Sequence, residues 1–210
     1  MFCPWPEHGP EQGLARPSRV DWLAGVTGRG VAFGDSLTAD AGSWAEILGL
    51  INLGVPGDTT VHLIGRFADV AACDPDLLIV LVGTNDARRH GAAADRMLVP
   101  DGETAHNLKL LTTLAREQTR ARVVFVTPPP IVEAKVRRAP LLRREAVTWL
   151  AADVERKAAI VADLNAEVID SRAALRPPLD RHLLADGLHL SRRGQQRLAR
   201  WIARSLAAQT

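Results

Sequence analysis

Leu77-Leu78-Ile79-Val80-Leu81-Val82-Gly83-Thr84-Asn85-Asp86 opens with an unbroken aliphatic run and ends in a polar turn. A strand with one face in water alternates apolar and polar side chains. A run with no alternation is the pattern of a strand covered on both faces, as in a parallel sheet. Residues 123–126 read the same way, and Val31-Ala32-Phe33, Ile51-Asn52-Leu53 and Val168-Ile169 supply three more strands. Between them lie helical stripes. Thr60, Leu63, Phe67 and Val70 recur at steps of three and four after Asp58, which suits an N-cap. Leu108, Leu111 and Ala115 mark a second helix. Pro140 is placed to open a long third one, with Val147, Leu150, Val154, Ala158 and Val161 facing inward, and Ser191 to cap a last one carrying Leu198, Trp201, Ile202 and Leu206. Strand followed by helix, repeated, predicts an α/β fold: a parallel five-stranded sheet with helices on both faces.

Outward from that frame, 210 residues with 47% hydrophobic content suit one well-buried domain. We read residues 1–25, rich in proline, glycine and charge, as an irregular lead-in pinned by Trp5 and Trp22, and residues 26–210 as the domain. The net charge of +2 comes from 26 basic and 24 acidic residues spread along the chain, so no basic tail points to nucleic acid. Cys3 and Cys73 lack a C-x-x-C or metal-ligand spacing and are expected as free thiols. The first residues show no charged-then-apolar leader, and no apolar run is long enough to span a bilayer, so a cytoplasmic protein without stable membrane insertion is expected. Nothing in the sequence speaks to oligomeric state.

Four islands carry chemistry: Gly34-Asp35-Ser36-Leu37, Asn52-Leu53-Gly54, Gly83-Thr84-Asn85-Asp86 and Asp186-Gly187-Leu188-His189. Three of them follow strands, where open parallel sheets place functional groups. A serine hydroxyl is a poor nucleophile until a base takes its proton, and His189 can be that base for Ser36. Asp186, three residues earlier, can accept the imidazole Nδ1 hydrogen and leave Nε2 for the serine. In this order the islands resemble the SGNH hydrolases, or GDSL esterase/lipase family, over most of the chain.

That resemblance implies a three-layer, flavodoxin-like strand order. It also implies hydrolysis of a small-molecule carboxylic ester through an acyl-enzyme, with no cofactor. Following the family pattern, the oxyanion donors would be the backbone N–H groups of Ser36 and Gly54 and the side-chain amide of Asn85. Ser36 does not sit in a G-x-S-x-G elbow, since Thr38 stands where the second glycine would fall. A serine opening a helix is also a natural N-cap, and Ser36 can serve both ends. Asp35 and Asp86 are expected to brace their loops. Arg88 and Arg89 are candidate contacts for an anionic substrate group, weighed against a solvated turn. The stretch from Pro128 to Arg138 is expected to leave the fourth strand rigidly and to wall the acyl or alcohol site, or simply to connect. His8, His62, His106 and His182 show no metal spacing. Two rival functions remain at this level: an acyltransferase with the same triad, and a binding protein without turnover. If His189 is the base, activity should fall on the acid side with an apparent pKa of about 6–7.

Overall fold

The structure, a computed structural model, describes residues 28–208. The lead-in of residues 1–25, with Cys3, His8, Trp5 and Trp22, therefore lies outside the described residues. The main sheet contains β1 (Gly30–Gly34), β2 (Ile51–Gly54), β3 (Leu77–Leu81), β5 (Arg122–Val126) and β7 (Glu167–Ile169). Two short strands, β4 (Arg89–His90) and β6 (Val147–Thr148), form a separate antiparallel pair. The main sheet is parallel throughout and ordered β2-β1-β3-β5-β7. Counting only its own strands, that is the flavodoxin-like order 2-1-3-4-5.

Alternation along these strands divides the core. Ala32, Ile79, Leu81, Val124 and Val126 point to one face, where they meet Trp44, Leu198 and Ile202. Val31, Phe33, Leu78, Val80 and Phe125 point to the other, against Leu63, Phe67, Leu108, Leu111 and Val161. Both faces are thus dry, which is why β3 needs aliphatic residues without a polar break. All five predicted strands are present, with ends moved by a residue or so.

Three local expectations are corrected. The cap after β2 is Thr59 rather than Asp58: Thr59 and His62 form a capping box at the head of the Thr60–Gly65 helix. Asp58 instead pairs with Arg66 through Nε at 2.6 Å. The helical stripe also breaks at Arg66, whose φ of −119° and ψ of 22° separate the Thr60–Gly65 and Phe67–Ala72 helices. The long helix from Pro140 is likewise broken. A short helix, Pro140–Arg144, ends in Ala146 at φ 53°; β6 follows and pairs with β4, and Ala151–Ala162 begins a new helix. Tertiary bonds favour the break: Trp149 Nε1 donates to the Thr84 carbonyl at 2.8 Å, and the Ala151 N–H donates to Glu133 at 2.8 Å. The inward residues Val154, Ala158 and Val161 are buried as expected. Ser191 does cap the final helix, Arg192–Ala207, accepting from the Gly194 N–H.

Candidate active site

Ser36 stands at the carboxyl end of β1, at the first position of a single helical turn, Ser36–Ala39. The N-cap is Asp35, not Ser36. Its carboxylate accepts from the Leu37 N–H at 3.0 Å, and its carbonyl accepts from Thr38 and Ala39. The Ser36 N–H has no partner within this turn, and its hydroxyl is released from capping for other work. Asp35 is fully buried with one carboxylate oxygen unpaired among the described residues, and burial pushes its pKa up to about 7.

The other end of the array is built within four residues. Asp186 Oδ1 accepts from the backbone N–H groups of Leu188 and His189, at 2.9 and 3.0 Å, while Oδ2 faces His189 Nδ1 at 2.7 Å. His189 Nε2 then lies 3.1 Å from Ser36 Oγ, closing a span of 153 residues. Gly187 makes the turn: its φ is 73°, and a Cβ there would lie 2.6 Å from the Val132 carbonyl oxygen. That carbonyl neighbour belongs to the stretch after the proline run, which is tied to the loop by Val132 N–H donating to Gly187 O at 2.8 Å. The hydrogen bond that His189 donates to Asp186 raises the His189 pKa above its usual 6.5, against desolvation. Desolvation opposes ionisation of Asp186, but the bonds from His189 and the two backbone N–H groups hold its pKa below the usual value.

Asn85 is buried beyond β3, and its Nδ2 donates one bond, to the Asp58 carbonyl at 3.0 Å, leaving a second amide hydrogen. Asp86 braces this loop as expected. It accepts from the Thr60 N–H and hydroxyl, at 3.1 and 2.6 Å, and from the Thr104 hydroxyl at 3.0 Å. Lys157, fully buried, extends the network to Thr104 at 3.0 Å and to Asp101 at 2.7 Å.

Gly54 departs from expectation. Its N–H donates to Asn52 Oδ1 at 2.9 Å, and Asn52 Nδ2 donates in turn to the Thr38 carbonyl at 2.7 Å. The glycine is required for packing, because a Cβ would sit 2.4 Å from the Ala39 nitrogen. Gly57 lies three residues on, in the turn closed by Asp58 N–H to Val55 O and directly before the carbonyl that holds Asn85. No hydrogen bond from its N–H occurs among the described residues.

Arg66 was not anticipated from sequence. Its guanidinium donates to the carbonyls of Gly34 and Leu53, at 3.0 and 2.8 Å, and to Asp58, and it lies 4.4 Å from the centre of the Phe33 ring. One side chain thereby fastens the ends of β1 and β2 to the turn beside Asn85. Nothing in an isolated arginine between two helical stripes signals that role.

The two candidate substrate arginines lie elsewhere. Arg89 donates to Asp153 at 2.6 Å and to the Ala94 carbonyl at 2.8 Å, locking the β4 end. Arg88 lines a separate recess with His90, Met97 and Leu98, and its Nε is buried without a partner among the described residues. Two grooves do meet at His189. One, of about 460 Å³, is walled by Ala139, Pro140, Leu141, Leu142 and Ala185. The other, of about 870 Å³, is lined by Asp40, Gly42, Ile47, Leu184, Arg192 and Gln196. From the stretch Pro128 to Arg138, Lys135 and Arg138 also line the smaller groove. Among the described residues, no group of histidine, cysteine and acidic side chains is arranged to hold a metal, and no helix is long and apolar enough to cross a membrane.

A serine, histidine and aspartate in hydrogen-bonded series at the carboxyl edge of a flavodoxin-like sheet define an SGNH-type hydrolase fold. The GDSL-like lipase/acylhydrolase family matches residues 32–197, and the chain belongs to that family. Among solved structures, a lipase/acylhydrolase from Enterococcus faecalis is similar at 26% identity and a TM-score of 0.65, covering 86% of this chain and 96% of that one. A catalytic mutant of an acetylxylan esterase from Geobacillus stearothermophilus shares the fold at 20% identity and a TM-score of 0.61, covering 85% and 94%. None of the curated proteins matches the chain.

Proposed function

We propose that the protein is a serine-dependent hydrolase of small carboxylic esters. The observation that carries this reading is the continuous series Asp186 to His189 at 2.7 Å and His189 to Ser36 at 3.1 Å. Neutral His189 takes the Ser36 proton at Nε2 as Oγ bonds to the carbonyl carbon, and the carbonyl π electrons move to oxygen. The resulting oxyanion is met by the Ser36 N–H and the spare Asn85 amide hydrogen, with Gly57 N–H taking the place first expected of Gly54. As the oxyanion collapses, the ester C–O bond breaks and His189 returns its proton to the leaving alcohol, giving an acyl-Ser36. Water, deprotonated by His189, then releases the acid and restores the serine.

Hydrolysis of p-nitrophenyl esters from acetate to long-chain acyl groups tests the reading, with Ser36→Ala measured in parallel. Turnover that disappears in Ser36→Ala is the expected result. Equal turnover by the two proteins would overturn it.

A further inference from the structure

The final helix, Arg192–Ala207, divides its charged residues from its apolar ones and carries five arginines and no acidic residue. Leu198, Ile202, Ala203 and Leu206 are buried in the core, while Arg193, Arg197, Arg200 and Arg204 recur at steps of four, three and four as one exposed stripe. Like charges at this spacing repel, so the stripe weakens the helix rather than supporting it. Arg197, Arg200 and Arg204 meet Arg176, from the segment after the Ser171–Ala174 helix, around a recess of about 340 Å³. Ala173, Ala174 and Trp201 complete its lining, and no acidic side chain takes part among the described residues. The recess shares no residue with the two grooves at His189.

Two acids on neighbouring segments are already engaged. Asp170, at the head of the Ser171–Ala174 helix, holds Arg172 at 3.0 Å, and Asp180 holds Lys135 at 2.6 Å. Arg197 is fixed by Nε donating to the Ala174 carbonyl at 2.9 Å, which leaves its Nη groups without a bond among the described residues. The side chains of Arg176 and Arg204 make no hydrogen bond or ion pair among the described residues. The positive field reaches buried His182, whose pKa is lowered below 6.5 chiefly by burial and further by Arg197, Arg193 and Arg181. Charge of one sign gathered around a concavity concentrates the field there and draws anions. A guanidinium fork matches two phosphate oxygens at once, so several forks around one recess suit a chain of phosphates. A lone sulfate or carboxylate would leave most of the donors unused. A nucleic acid strand needs a groove that tracks its backbone, whereas this recess is compact. Trp201, held by its packing on the core, places an indole beside the arginines on which a base can stack.

We propose that this recess is a binding site for a small phosphate-rich polyanion, a di- or triphosphate either free or carried on a nucleoside, gripped by Arg176, Arg197, Arg200 and Arg204. The site is separate from ester hydrolysis, and its test is independent of that reading. Titration calorimetry of the full chain at about 150 mM salt measures it, with tripolyphosphate, adenosine triphosphate, citrate and sulfate as probes. One tripolyphosphate should bind per chain, with citrate and sulfate at least about tenfold weaker. The adenosine triphosphate arm separates the two sources, and either result supports the site. Binding tighter than tripolyphosphate, with the advantage lost in Trp201→Phe, assigns a nucleotide; equal binding assigns a free polyphosphate. The double variant Arg176→Gln/Arg204→Gln should weaken tripolyphosphate at least about tenfold, and it should fold, because neither side chain holds a partner among the described residues. Arg143→Gln/Arg144→Gln removes the same charge from exposed positions on the Pro140–Arg144 helix and should change the affinity less than about twofold. Equal losses in the two double variants, an undiminished affinity in the first, or sulfate binding as tightly as tripolyphosphate would overturn the site. A single-stranded oligonucleotide that binds more tightly than tripolyphosphate would also overturn it, giving the stripe to nucleic acid instead.

Discussion

The two halves of the candidate active site are held by opposite means. Asp186 and His189 are organised by their own loop: one carboxylate takes two backbone N–H groups within three residues and orients the imidazole. Ser36 and Asn85 are held from a distance. Arg66 fastens the strand ends beside them, and Asp86, Thr60, Thr104 and Lys157 form a buried polar network behind Asn85. A self-contained loop keeps its geometry wherever it is carried. A network drawn from several elements keeps its geometry only while the whole fold is intact. Loss of a reacting side chain, including the Ser36 hydroxyl, which meets only His189, should therefore appear in chemistry alone, and loss of a member of the distant bracing network in chemistry and stability together.

Removing either reacting group tests the chemical end of that contrast. Ser36→Ala and His189→Ala should each lower kcat by about 10⁴-fold or more, with thermal unfolding close to native. A large drop in melting temperature would show that the local half also supports the fold. Asp186→Asn should cost about 10³–10⁴-fold in kcat by leaving the imidazole in the wrong tautomer. On the other side, Asn85→Ala should cost about 10²–10³-fold through loss of an oxyanion donor. Arg66→Ala should reduce activity less, by about tenfold, but lower stability by about 1–3 kcal/mol, since it removes a donor from Asp58 and from the carbonyls of Leu53 and Gly34, of which Gly34 keeps the Val55 N–H. Denaturant unfolding of Arg66→Ala beside Asp186→Asn reads the contrast directly. Equal stability loss in both would break it.

The pH dependences are smaller effects. The proposed mechanism needs neutral His189, so kcat/KM should fall as pH drops through the histidine's pKa. The Asp186 bond raises that pKa, so the acid limb should lie on the high side of an ordinary histidine's, and Asp186→Asn should move the limb down. Asp35 acts on stability with the opposite sense to an ordinary paired carboxylate. Its folded pKa is about 7 against 3.8 for the free group, so the folded state holds a proton that the unfolded chain releases between those values. Its contribution is fully present below about pH 4 and is lost as pH rises toward 7. Asp35→Asn, which keeps an acceptor for the Leu37 N–H, should flatten the stability profile over that interval, as followed by urea unfolding.

The same contrast explains how much was legible in the sequence. Aliphatic runs at β3 and β5 announced a doubly covered parallel sheet because burial on both faces constrains every residue of a strand. Asp186 and His189 were readable because their geometry is set by three intervening bonds of chain. Ser36 and Asn85 were readable from their places after strands. The glycine was not: Gly54 ends β2 and Gly57 follows it by three residues, and the bond from the Gly54 N–H to Asn52 distinguishes them. Arg66 and Lys157 were invisible because their partners lie on other elements, 8 to 32 residues away for Arg66 and 53 residues away for the bond from Lys157 to Thr104. The long helix from Pro140 failed for the same kind of reason. Its apolar spacing was adequate, but Trp149 and Ala151 find better partners at Thr84 and Glu133 with the helix broken.

The central claim is that His189, oriented by Asp186, activates Ser36. Reaction of the folded protein with a fluorophosphonate, followed by intact mass and peptide mapping, tests it most directly. The account predicts a single adduct on Ser36, formed at a rate that falls along the same acid limb as ester turnover and is at least about 10³-fold slower in His189→Ala. Labelling at another residue, or an undiminished rate in His189→Ala, would contradict it.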